Sequence, residues 1–220
     1  SLLSIEIEEF RKNYTPKKDG RDWKISYAKD DLLNMDGSIT KLHYRPFDFR
    51  YTYYTGRSKG FMAYPRNNIS KHFIENGNIG LLIKRGFDDS AAAPIFISNM
   101  IVDRRSWSSP GSNGAGYFCA LYLYPENNNQ QTIEKTTERK PNLNQDIVNE
   151  IAEKIRLTFT NEKVLDSART DTIETFTPID ILDYVYAVLN SPTYREKYKE
   201  FLKIDFPRVP YPKDVKTFWE

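Results

Sequence analysis

A polar stretch at residues 126–142 divides the chain into two parts of different periodicity, and that division limits the fold more than any other feature. It runs Glu126-Asn127-Asn128-Asn129-Gln130-Gln131 and continues in Lys and Glu. Such a composition cannot bury enough apolar surface to offset the entropy of ordering it, so it reads as a solvated linker. Upstream, apolar residues come in short runs bounded by turn residues; downstream, they recur at helical spacing. Strands followed by helices indicate the α+β class. The expected architecture is a twisted, mostly antiparallel sheet from residues 42–125, with helices from 144–203 as a separate layer or subdomain. The expected organisation is a lead-in at 1–41, a strand-rich part at 42–125, the linker at 126–142 and a helical part with a proline-rich tail at 143–220.

Local signals refine this picture. Ile5 and Ile7 hint at a short strand or linker, Lys17 to Gly20 at a turn, and Lys29 to Met35 at a short helix. Leu42 to Thr55 is aromatic-rich and strand-like. A short helix is expected over Asn67 to Glu75, with Asn67 or Asn68 as its cap and Gly77 as its stop. Asn78 to Arg85, Pro94 to Val102 and Tyr117 to Tyr124 read as strands, the last two separated by a loop with glycines at 111, 114 and 116. Ile147, Ile151 and Ile155 form one face of a helix from Asn144 to Phe159. Thr177-Pro178-Ile179-Asp180 is a capping signature with Pro at the first helical position. Ser191 and Pro192 open a further helix with Tyr194, Tyr198, Phe201 and Leu202 on one face. Pro207, Pro210 and Pro212 end it and impose an extended tail.

Charge narrows the function classes. The net charge is only +2, so any nucleic-acid surface must come from local clustering. Between Arg45 and Arg105 there are 10 Lys and Arg against 5 Asp and Glu. The single cysteine, Cys119, excludes an internal disulfide and suits a reducing cytoplasm. It is expected as a packed thiol in a buried strand. Two histidines, His43 and His72, and one cysteine cannot make an ordinary structural zinc site. No phosphate loop, no Gly-x-Gly-x-x-Gly turn and no membrane-spanning apolar run is present. The chain therefore reads as non-catalytic, with no metal. Its opening, Ser1-Leu2-Leu3-Ser4, lacks an initiator Met and reads as a boundary inside a larger protein.

Two segments are more specific than composition. One is Tyr44-Arg45-Pro46-Phe47-Asp48-Phe49-Arg50-Tyr51-Thr52-Tyr53-Tyr54. The other is Leu182 to Tyr198, with Asn190-Ser191-Pro192-Thr193-Tyr194-Arg195, continuing through Phe201 to Pro210. Together they resemble the C-terminal specificity domain of large single-chain restriction-modification enzymes, the type ISP enzymes and their type IIG relatives. Gly20-Arg21-Asp22-Trp23, Asn78 to Arg85 and Tyr117 to Pro125 fit the same group, so the resemblance spans about residues 20–212. It implies a domain that holds and reads double-stranded DNA for an adenine-specific methyltransferase domain of the same polypeptide. That domain would carry the Asn-Pro-Pro-aromatic motif and bind S-adenosylmethionine; neither the motif nor a cofactor is assigned to this chain. A protein-docking domain joining parts of the same enzyme is the alternative.

For DNA reading, the candidate contacts are Arg57 and Lys59 in an expected hairpin loop and Arg66 and Asn67 at a helix start. Lys71, Lys84, Arg85 and Asn99 join them, with Arg104, Arg105 and Trp107 entering the Gly-rich loop. Arg pairs bidentately with guanine and Asn with adenine, whereas Lys suits phosphates. Arg104-Arg105 reads equally well as a solvated pair. Arg45, Pro46, Phe47, Asp48 and Arg50 form a structural signature, in which Arg45 and Asp48 are placed to pair and fix the entry into the sheet. Pro192, Tyr194, Arg195 and Tyr198 form a second signature, a scaffold rather than a reader.

Overall fold

A computed structural model describes residues 1–74, 77–86, 95–106, 115–125, 138–162 and 175–220. The chain forms two compact units, one of residues 1–76 and 100–106, the other of 77–99 and 107–220. The α+β class expected from the sequence holds, and antiparallel pairing predominates. The strands of 42–125 are nevertheless shared among small sheets rather than joined in one. Expected features at Trp107, Gly111, Gly114 and most of the polar linker lie outside the described residues. Among the described residues, no helix is long and apolar enough to cross a membrane.

The first unit begins with α1 (Ile7–Tyr14) and α2 (Ile25–Asn34), followed by the hairpin of β1 (Ser38–Arg45) and β2 (Asp48–Tyr54). Where Ile5 and Ile7 hint at a short strand or linker, Ile5 lies in a bend and Ile7 opens helix α1. Its acidic first turn, Glu8 and Glu9, and basic last turn, Arg11 and Lys12, suit the helix dipole. Its apolar side, Ile7 and Phe10, packs against buried Leu2, Ile25 and Ala28. The turn expected at Lys17 to Gly20 is irregular chain instead, held by its acid: the Asp19 carboxylate accepts from the Ile25 N–H at 2.9 Å and from Arg11 at 2.8 Å, joining the two helices.

β1 and β2 pair antiparallel from Ser38–Tyr54 to Arg45–Asp48. The 71–73 segment is a 3-10 turn that follows the single turn of α3 (Asn67–Ser70), so the expected helix to Glu75 is much shorter. Neither asparagine caps it. Arg66 occupies the N-cap with φ 52°, and Asn67 lies inside the helix with its side chain turned to Tyr54. After two described strands of the other unit, β3 (Gly80–Lys84) and β4 (Phe96–Ser98), comes β5 (Ile101–Val102), which runs parallel to β1 and completes the sheet order β2-β1-β5. The single strand expected over Pro94 to Val102 is thus two strands serving different units, broken at Asn99–Met100.

In the second unit β3 is central to a sheet of order β4-β3-β6, with β6 spanning Gly116–Ala120. Short β7 (Tyr122–Leu123) pairs with β8 (Lys140–Pro141). Buried Asn78 ties them: its amide donates to the Tyr122 carbonyl at 2.8 Å, and its carbonyl accepts from Tyr122 N–H at 3.2 Å and Ile79 N–H at 2.9 Å. Cys119 faces outward on β6 and is exposed, contrary to the packed thiol expected; burial of its surroundings still pushes the thiol pKa up. The outward position follows from the strand's alternation, which buries Gly116 and Ala120 instead.

The helix starts follow their sequence signals, but Val148 rather than the exposed Ile147 joins Ile151 and Ile155 on the buried face, and the one helix expected from Ser191 is two, broken at Tyr198. α4 (Gln145–Ile155) is capped by Asn144, whose side chain accepts from Asp146 and Ile147. It stops before Phe159 because Arg156 adopts φ 58°, and β9 (Thr158–Phe159) then pairs with β10 (Thr175–Phe176). α5 (Pro178–Asn190) opens with a complete Thr177–Asp180 capping box. α6 (Pro192–Lys197) and α7 (Lys199–Leu202) follow, with Ser191 capping α6. Leu182, Leu189, Tyr194 and Leu202 from these helices bury against Leu81, Ile95, Leu121 and Tyr122 of the strand region. The proline tail straps this core. Tyr194 donates its hydroxyl to the Arg208 carbonyl at 2.8 Å and Tyr184 donates to Pro210 at 2.9 Å. The tail ends in α8 (Val215–Trp219), absent from the sequence-based expectation, whose Phe218 packs on Phe176 and Tyr184.

Candidate nucleic-acid interface

The strongest assembly of candidate side chains lies in the first unit, at the end of β5. Asp103 organises it. Its N–H donates to the His43 carbonyl at 3.0 Å, extending the β1–β5 pairing by one bond. Its carboxylate accepts from the Arg105 N–H at 2.8 Å and from Arg45 Nη1 at 3.0 Å. Ser106 N–H closes the turn on the Asp103 carbonyl at 3.0 Å. Arg104 and Arg105 therefore project from a turn held on three sides, with both side chains exposed. Neither guanidinium enters an ion pair among the described residues. The pairing expected between Arg45 and Asp48 does not form: they face each other in the backbone register, yet Arg45 bonds to Asp103 and Asp48 to Arg50 at 2.9 Å. Both arginines also stack on the Tyr44 ring, at 4.0 and 3.9 Å from its centroid.

Beside the turn opens a cleft of about 650 Å³, lined among others by Arg21, Asp22, Tyr64, Arg66, Ser70 and Arg104. Asp22 is bonded to Arg21 at 3.0 Å, and that bond with one from the Tyr64 hydroxyl holds its carboxyl below the usual range. Lys59 lowers it a little further. The Tyr64 ring stays exposed. A cleft lined by Arg21, Arg66, Arg104 and an exposed Tyr64 ring offers groups of the kind that hold phosphate oxygens and stack on a base. Arg21 and Tyr64 were not among the candidate contacts; Tyr64 adjoins Pro65-Arg66, and only folding sets it opposite Arg21-Asp22.

The other candidates divide. Arg57 is taken up within the fold: its guanidinium binds Asp31 at 2.7 Å and also Asp36, which pushes its pKa up. Asn67 accepts from Tyr54 Oη at 2.7 Å. Lys59 is exposed at φ 58°, and Lys71 is half-buried in the 3-10 turn. Lys84, Arg85 and Asn99 belong to the second unit, where Arg85 pairs with Asp205 at 3.4 Å and Asn99 is exposed. Arg45, Arg50, Arg57 and Arg85 among these cations are thus paired in place. Of the structural signatures, Phe47 is exposed, whereas Tyr194 is buried and Arg195 donates to the Leu189 carbonyl at 2.8 Å. Tyr198 stacks on Tyr194 at 4.9 Å, and Pro192 opens α6.

No curated protein and no solved structure matches this sequence. One family model does, that of the Type ISP C-terminal specificity domain, and it spans residues 1–220. The match covers both sequence signatures, the arginine turn and the cleft. The arginine turn and the cleft beside it thus lie within the matched span, and this chain belongs to the Type ISP C-terminal specificity domain family, whose members serve target recognition in restriction enzymes.

Proposed function

We propose that this domain holds and reads double-stranded DNA for an adenine-N6 methyltransferase domain of the same polypeptide, in a restriction-modification enzyme of the type ISP or related type IIG kind. The carrying observation is the exposed Arg104–Arg105 turn, whose guanidiniums have no carboxylate partner among the described residues and whose backbone is fixed by Asp103. Bidentate base reading needs such a preorganised donor pair. The chemistry belongs to the methyltransferase domain, which would bind S-adenosylmethionine and flip the target adenine. The cytoplasm is the compartment in which such an enzyme meets its DNA.

The test compares cognate and scrambled duplexes in methylation assays of the enzyme carrying this domain. Arg104→Ala should relax specificity at one position, by about 1–3 kcal/mol for a lost bidentate pair. Lys84→Ala should weaken binding to all sequences and reduce the salt slope. If both variants keep wild-type rates, site choice and salt dependence, the reading surface lies elsewhere.

A further inference from the structure

We propose that Arg21, braced by Asp22, reads a guanine of the recognised site through its Nη1–Nη2 edge; this rests on the DNA-reading role proposed above. The brace is a side-on pair. Arg21 Nε donates to Asp22 Oδ1 at 3.0 Å, and Nη2 donates to Oδ2 at 3.4 Å. The Tyr64 hydroxyl interacts with both residues. Asp22 thus occupies two of the five guanidinium N–H groups. The other three include the parallel pair on the Nη1–Nη2 edge. The Arg21 side chain is 90% exposed, so a partner can reach it.

The segment carrying the pair is pinned on either side. Just before it, Asp19 binds Arg11 and the Ile25 N–H. Gly20 N–H donates to the Trp23 carbonyl at 2.8 Å, and Trp23 Nε1 donates to the Phe61 carbonyl at 3.1 Å. A side chain braced on a pinned segment loses little entropy on binding. Arg21 and Arg104 also line the same cleft, so one duplex can meet both.

The brace decides which part of DNA suits Arg21. A phosphate would meet the Asp22 carboxylate together with the guanidinium, and repulsion would offset most of the attraction. Guanine carries no net charge and presents O6 and N7 side by side in the major groove, which match a parallel pair of donors. Adenine presents an amino donor beside its N7, so one N–H group would face another.

The experiment uses the enzyme carrying this domain and duplexes with each base pair of its site replaced in turn. Arg21→Ala relaxes discrimination at one G·C position by roughly tenfold in methylation rate. Arg21→Lys keeps the charge, loses the fork and relaxes the same position. Asp22→Ala relaxes it too, yet binds scrambled duplexes more tightly, because an unbraced arginine attracts phosphates. 7-Deazaguanine at that position, which lacks the N7 acceptor, slows wild type and leaves Arg21→Ala unaffected. Arg21→Ala with unchanged site choice overturns the proposal, and so does an equal loss on every duplex, the mark of a phosphate contact. Equal slowing of wild type and Arg21→Ala by 7-deazaguanine overturns it as well. If Arg104→Ala relaxes site choice and Arg21→Ala does not, this inference falls and the reading role stands; if neither does, both fall.

Discussion

Arg45 reaches across from the end of β1 to Asp103 at the end of β5, 58 residues later, and their 3.0 Å bond sets the position of the next two arginines. Arg45 is thereby a positioning residue for Arg104 and Arg105. Arg45→Ala should reproduce part of the specificity loss of Arg104→Ala, and the double variant should lose less than the sum. Cognate-to-scrambled methylation ratios for the cycle check this. Strict additivity would mean that the turn keeps its shape without Arg45.

Asp31 is the hub of the first unit. Its side chain is 5% exposed and accepts from Arg57, from the Thr55 hydroxyl at 2.9 Å and from the Phe61 N–H at 2.7 Å. Burial alone would push its carboxyl up, but these donors together outweigh it and hold the pKa below the usual range. A Cβ on Gly60 would lie 2.0 Å from the Asp31 carboxylate, so that position has no room for a side chain. Asp31→Asn keeps the shape but removes the charge, and should lower unfolding stability by roughly 1–3 kcal/mol. Gly60→Ala should also destabilise. Denaturant titration measures both, and a neutral Gly60→Ala would contradict the close approach.

His43 supplies a pH dependence. Burial pushes its imidazole pKa down, offset only in part by a backbone hydrogen bond at Arg45. The unfolded chain therefore binds a proton at higher pH than the folded one. The stability from neutral His43 is present above the unfolded value of about 6.5 and is lost as pH falls towards the folded pKa. The thermal midpoint should drop between pH 7.5 and 5.5 in wild type and drop less in His43→Phe. Equal drops would assign the effect to other groups.

The tail strap makes a contrasting case. Tyr194→Phe removes the hydroxyl that bonds the Arg208 carbonyl and leaves the ring packing intact. About 1 kcal/mol of stability should be lost, the ordinary value of one hydrogen bond. Site choice should be unchanged, as methylation sequencing would show. A shift in the recognised site would make the second signature part of the reader.

The sequence by itself determined what depends on neighbours along the chain. Asn144, the Thr177–Asp180 box and Ser191-Pro192 start helices by bonding to amides two or three residues away, so α4, α5 and α6 were legible. The composition of 42–125 marked strands, and the two signatures marked the family. What only tertiary structure decided are the contacts whose partners lie far apart in sequence. Ile5 and Ile7 alternate like a strand, yet Ile7 packs within an apolar cluster that includes Ile25 and opens a helix. Arg57 and Arg104 are equally plausible DNA contacts when read as letters. Asp31, 26 residues before Arg57, neutralises one, while Asp103 spends its own carboxylate on Arg45 and the turn backbone and leaves the other exposed. An ion pair forms where folding places the charges, and linear spacing carries no record of that placement.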